Sequence, residues 1–169
     1  MAEPASKKRL RPSLLDRLTD LHPERRGETT DDAAVSEAHL RDQVRRDLAW
    51  LFNTTQLAAG TDLTPYPQVQ RSIVNYGIVD LTGQMLSSIK PEQLESSVRA
   101  ALLHYEPRLM PESLQISVKL GKNPFGTAGL VVEIHADLYS EPLPLALHLR
   151  TEIDVETGRV TIGDANEGR

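Results

Sequence analysis

The chain has 169 residues, no cysteine, 25% charged residues and a net charge of -5. The missing cysteines remove disulfides, thiolate zinc sites and cysteine nucleophiles together, and without an 18-residue apolar run no transmembrane helix, hence no direct membrane insertion, is expected. Residues 1–26 carry +3 and the remainder -8, so the body lacks the concentrated basic surface that nucleic acid requires; with no apolar signal-peptide core at the basic N-terminus, the expected location is the cytoplasm.

Residues 1–35 read as a flexible arm. Within it Leu14, Leu15, Leu18 and Leu21 follow Ser13 at helical spacing, which predicts a short amphipathic helix over about 13–21. A helix this short is marginal in water and orders only against another surface, its own domain or a partner. The segment after it carries His22-Pro23, Gly27 and the acids Glu28, Asp31 and Asp32, a linker by composition. That separation favours a partner, and Leu14, Leu15 and Leu18 are the candidate docking residues.

Ser36 is the predicted N-cap of the strongest helix. Leu40, Val44, Leu48 and Leu51 form its stripe, Trp50 and Phe52 widen it, and Arg41, Asp42, Arg45, Arg46 and Asp47 face elsewhere. After a loop containing Gly60, Pro67 suits the first turn of a short helix in which Val69 and Ile73 share a face, and Gly77 suits a left-handed stop. Asp80-Leu81-Thr82-Gly83 is a turn into another helical piece. Pro91 opens a further helix, with Glu92 and Glu95 near its positive end. Leu94, Val98, Ala101, Leu102 and Tyr105 are its predicted buried stripe, and Pro107 ends it.

The last third alternates apolar and polar residues with period two. Leu114, Ile116, Val118 and Leu120 point one way; then come Leu130, Val132, Ile134, Ala136 and Leu138; then Leu143, Leu145, Leu147, Leu149, Thr151, Ile153 and Val155. Such strands have one buried and one wet face, which makes the sheet antiparallel and in need of an apolar cover. Turns are expected at Gly121–Gly129, at Glu141-Pro142 and at Glu156-Thr157-Gly158, with Val160 and Ile162 pairing back. The predicted class is α+β: an antiparallel sheet from the C-terminal third, covered on one face by helices from the N-terminal two-thirds. Residues 36–163 form the single domain and 164–169 a polar tail.

Six strings, in order, resemble one family. They are Ser13-Leu14-Leu15-Asp16-Arg17-Leu18, the helix from Leu40 to Thr54, Ser72-Ile73-Val74-Asn75-Tyr76-Gly77, Asp80-Leu81-Thr82-Gly83, Glu106-Pro107-Arg108-Leu109 and the ending from Thr151 to Gly158. Across about residues 13–162 the chain resembles the TssE family, the baseplate wedge subunit of type VI secretion, which is similar to the wedge protein twenty-five of contractile phage tails. The resemblance implies a structural part that assembles with the wedge subunits TssF, TssG and TssK and primes polymerisation of the TssB–TssC sheath, in a baseplate docked at the inner-membrane complex. It implies that Glu106, Pro107 and Arg108 are the assembly motif.

Proteins of this family often carry a lysozyme label, so a lysozyme-like hydrolase is the alternative to weigh. A glycosidase needs two carboxylates flanking one bond, one of them kept protonated by an apolar pocket. Glu106 closes an apolar helix, but an extended Glu-Pro-Arg sets Arg108 on its side, and a guanidinium favours the ionised carboxylate. No second carboxylate has a sequence argument, and no catalytic residue is assigned. The pair is expected to lie in an assembly interface rather than to serve the chain's own stability. His22, His39, His104, His135 and His148 are scattered; His135 and His148 would meet only if their strands were neighbours, and zinc needs three or four ligands. Gly121–Gly129 lacks the phosphate-loop pattern. No metal and no cofactor is expected. A generic adaptor that binds partners by strand addition is the third class. For either assembly reading the expected edge lies near Leu143–Ile153, where Pro142 and Pro144 interrupt a strand start, or at Val160–Ile162.

Overall fold

Ser36 starts the main helix as its spacing predicts: its Oγ accepts a hydrogen bond from the His39 N–H at 3.1 Å, which satisfies one orphan donor of the first turn. A computed structural model describes residues 13–19, 36–122, 128–140 and 143–164. Its elements are α1 (Leu14–Leu18), α2 (Glu37–Phe52), α3 (Pro67–Gln70), α4 (Pro91–Tyr105), β1 (Gln115–Lys122), β2 (Ala128–Leu138), β3 (Leu145–Asp154) and β4 (Val160–Asp164), with short 3-10 turns at Leu57–Ala59, Ile73–Asn75 and Leu86–Ser88.

The sheet is antiparallel in the order β1-β2-β3-β4. Antiparallel neighbours in sequence order need only hairpins. One sheet face is buried: Leu130, Val132, Ile134, Ala136 and Leu138 from β2, and Leu145, Leu147, Leu149, Thr151 and Ile153 from β3. α4 lies against β1, and α2 lies against β3 and β4. They contribute Val44, Leu48 and Leu51 from α2 and Leu94, Val98 and Leu102 from α4 to the same core. Each such side chain contributes about 2 kcal/mol by leaving water, so burial, more than helix propensity, holds α2 and α4 in place. The expected α+β class is the observed one.

Several local expectations are corrected. Leu120, assigned to the buried stripe, is half exposed near the end of edge strand β1. Leu143 is exposed because β3 begins only at Leu145. Trp50 does not join the core; Phe52 does. The stretch from Pro67 is one helical turn and then a separate 3-10 turn, which leaves Ile73 exposed rather than on a shared apolar face. Gly77 is needed for a different reason than a helix stop. Its φ is +127°, and a Cβ there would sit 2.3 Å from the Thr54 carbonyl oxygen, where residues 54–56 pair with Ile78.

The turn at Glu141-Pro142, the centre of the Gly121–Gly129 loop, Leu21, His22 and the linker after it, and the tail beyond 164 lie outside the described residues. No helix among the described residues is long and apolar enough to cross a membrane.

Candidate assembly site

α4 ends at Tyr105 because Pro107 cannot continue it. Glu106 is the C-cap, its N–H donating to the Leu102 carbonyl at 2.8 Å. The chain then turns tightly and is stitched to the end of β2: Tyr139 N–H donates to the Arg108 carbonyl at 2.9 Å and Met110 N–H to the Asp137 carbonyl at 2.8 Å. This places Glu106 inside the fold, 4% exposed. A buried carboxylate needs a partner, and Arg108 supplies it. Glu106 Oε1 accepts from the Arg108 backbone N–H at 3.1 Å and from Nε at 2.6 Å, and Oε2 accepts from Nη2 at 2.5 Å. The parallel fork is the strong form of this pair.

The Glu106–Arg108 pair that the sequence predicts closes within the chain. Arg108 Nη2 also reaches Asp47 Oδ2 of α2 at 2.6 Å. Burial pulls the Arg108 guanidinium down, but the Glu106 and Asp47 hydrogen bonds and charges outweigh it and hold it above the ordinary arginine value. Tyr76 lies beside this knot, its hydroxyl donating to the Asp47 carbonyl at 3.4 Å and its ring edge-on to Tyr105 at 5.1 Å. Burial first, then the charges of Asp47 and Glu106, push Tyr76 above its usual value.

Asp47 is the residue that sequence reasoning missed. It was placed on the polar face of α2, 61 positions from Arg108, and only the packing of α2 against the core brings them together. Its other oxygen, Oδ1, accepts from Arg46 Nη2 at 2.9 Å and Nε at 3.0 Å. Arg46 then reaches Asp16 of α1, Nη1 to Oδ1 at 2.6 Å and Nη2 to Oδ2 at 3.3 Å. Asp16 also accepts from the Ser13 hydroxyl. The Arg46 hydrogen bond is the main reason that Asp16 is held below its ordinary carboxylate value; burial opposes it and Ser13 adds to it. Arg46 also lies over the Trp50 ring, 5.2 Å from its centroid.

The α1 helix is thus tied to α2 by a polar contact, while its leucines face solvent. Leu14 is 70%, Leu15 46% and Leu18 76% exposed. The structure does not bring these candidate docking residues together with Glu106 and Arg108; among the described residues a line of ion pairs through Arg46 and Asp47 joins the two groups.

His135 and His148 do pair across β2 and β3, with ring centroids 4.6 Å apart. Among the described residues no cluster of three or more metal-ligating side chains includes them. A groove of about 40 Å³ opens between the end of α2, residues 78–82 and the β3–β4 hairpin, and Asp80 is the single carboxylate lining it.

Residues 38–143 match the family model described as baseplate wedge protein gp25, a span that covers all but the first residue of α2 and encloses α4, the Glu106–Arg108 knot, β1 and β2. The chain belongs to the baseplate wedge protein gp25 family. TssE, to which the sequence resemblance points, is the type VI secretion homologue of gp25. The family is a structural, phage-tail-like one whose members associate with other baseplate components. The match leaves out α1, β3 and β4. No curated protein and no solved structure matches the chain significantly.

Proposed function

We propose that this chain is the TssE-type wedge component of a type VI contractile injection machine: a cytoplasmic, non-enzymatic part, in a baseplate docked at the inner-membrane complex, that joins TssF, TssG and TssK and primes growth of the TssB–TssC sheath. The observation that carries this is the family match over residues 38–143. Residues 36–163 are the wedge domain and residues 1–35 an arm that presents Leu14, Leu15 and Leu18 to a partner. Glu106, Pro107 and Arg108 serve assembly by shaping the surface beside them. Glu106 is inside, Arg108 keeps a quarter of its side chain in solvent, and Tyr139, stitched to the Arg108 carbonyl, is more than half exposed.

The arrangement argues against hydrolysis on chemical grounds. Glu106 and Asp47 both accept from one Arg108 nitrogen. A guanidinium bonded to both favours their ionised forms, whereas a general acid must be kept protonated by an apolar setting.

The sheath contact we favour is strand addition. Among the described residues β4 pairs with β3 only from Leu149 to Ile153, so of the expected edge near Leu143–Ile153 only the stretch from Leu145 to His148 has no strand on its outer side; the other half of the expectation falls on β4, an edge strand. Both edges carry a side-chain guard. Glu95 accepts from Val118 N–H of β1 at 2.9 Å, and the Asn53 amide bonds both the N–H and the carbonyl of Val160, each at 3.2 Å. Guards of this kind limit wrong pairings at an edge. In an antiparallel ladder the outward groups recur every second residue, so the next outward pair on β4 is that of Ile162.

Reconstitution with TssF, TssG, TssK and the sheath subunits tests the function. Co-assembly into one wedge complex and sheath growth that depends on this chain are expected; peptidoglycan turnover without wedge formation would overturn it. An Ile162→Pro variant shown to be folded by circular dichroism is expected to join the wedge and fail to start the sheath. Undiminished sheath growth on it would remove strand addition at β4.

A further inference from the structure

Five charges of alternating sign run from α1 to the end of α4: Asp16, Arg46, Asp47, Arg108 and Glu106. Three carboxylates face two guanidiniums, so each guanidinium is shared. Asp47 is the middle of the line, and its oxygens are divided: Oδ1 belongs to Arg46 and Oδ2 to Arg108. Arg46 is divided too, its Nη2 lying 2.9 Å from Asp47 and 3.3 Å from Asp16.

We infer that Asp47 is the positioning residue of the Glu-Pro-Arg knot, and that competition for its two oxygens couples the docking of α1 to the placement of Arg108. Arg46 and Asp47 are neighbours on one helix and cannot separate. Asp16 can leave, because α1 is held to α2 by this contact while its leucines face solvent. While Arg108 occupies Oδ2, Arg46 has only Oδ1 to bind, and its Nη1 stays turned to Asp16. When Arg108 is drawn off Asp47, the carboxylate is open to a two-point grip by Arg46. Arg46 then turns toward Asp47 and its hold on Asp16 weakens. By linkage the effect runs both ways: a docked α1 keeps Arg46 off Oδ2 and leaves it to Arg108. A partner that pulls Arg108 outward therefore also frees α1 to dock. This goes beyond the proposed function, because it belongs to the isolated chain and is measured without any partner.

The sign of the coupling makes it testable. In the full chain, α1 is followed by the helical Cα chemical shifts of residues 14–18 and by contacts of those residues with Arg46. Trp50, the one tryptophan of the sequence, reports movement of the Arg46 guanidinium over its ring. Replacing both members of the knot, Glu106→Gln with Arg108→Gln, leaves no uncompensated charge there and is expected to abolish the α1 helical shifts and to change Trp50 emission. Asp47→Asn removes Arg46's other claim and is expected to keep or strengthen the α1 signals. General loosening of the fold would weaken α1 in both. If the double variant does not fold, Arg108→Lys takes its place with the same expected release, since it keeps the charge beside Glu106 and gives up the fork that also reaches Asp47. Unchanged α1 signals when Arg108 is replaced, or loss of them in Asp47→Asn, would overturn the coupling.

Discussion

The Glu-Pro-Arg knot and the α1 helix are held to the domain in opposite ways. The knot is polar and mostly inside: a carboxylate 4% exposed, closed by a guanidinium and stitched by backbone bonds to β2. α1 is apolar and mostly outside: three leucines in solvent, attached through Asp16. The difference teaches that a sequence motif and an exposed apolar surface need not coincide. Glu106 is covered by its own fold, and what it grips at the surface is the Arg108 guanidinium. Leu14 and Leu18 keep most of their apolar surface in solvent, while Leu15 is about half covered.

Removing the guanidinium breaks this comparison most directly. Arg108→Ala leaves Glu106 buried and unpaired, at a cost of about 3 kcal/mol after allowing for the exposed part of Arg108, or roughly 10 °C in Tm for a domain of this size. Thermal unfolding by circular dichroism measures it; an unchanged Tm would show that the knot is not structural. Glu106→Gln is milder. The amide keeps one acceptor and turns a donor toward Arg108, for a loss of about 1–2 kcal/mol on the same unfolding curve.

Acid sharpens the other side. The Asp16 value in the folded chain lies below the ordinary 3.8, so the folded state holds fewer protons than the unfolded one. The contribution is present above 3.8 and is lost as pH falls through the folded value. Arg46 is about a third exposed, so the loss is under about 1 kcal/mol. It should appear as disappearance of the helical Cα shifts of residues 14–18 as pH falls through the folded Asp16 value, itself below 3.8, while the sheet signals persist. Joint melting of both would place α1 in the core. The smallest stability effect is expected from Leu14→Ser with Leu18→Ser, within about 0.5 kcal/mol of the parent. The same variant should bind the reconstituted wedge more weakly in a co-sedimentation assay, and undiminished binding would remove these leucines from the interface.

Much of the fold was legible because the helix and strand periods are clean. Leu40, Val44, Leu48 and Leu51 at spacings of four and three, and the alternation from Leu130 to Leu138, state which side of each element is apolar, and the core follows. Errors fell where local pattern outran tertiary cover. Leu120 continues the β1 alternation to a place where nothing in the core meets it, and Trp50 extends the α2 stripe to a flank that Arg46 covers instead. The Glu106–Arg108 pair was visible as neighbours in sequence, but not the direction in which it would be satisfied.

By itself the sequence determined the α+β class, the starts of α2 and α4, and the close pairing of Glu106 with Arg108, because these depend on residues within a few positions of one another. Only the tertiary structure decided that Asp47 closes the knot, that Asn53 guards β4 at Val160, and that Arg46 joins α1 to both. Those contacts span 61, 107 and 30 positions, and a charge on the polar face of a helix carries no mark of its distant partner until the core has packed that helix into place.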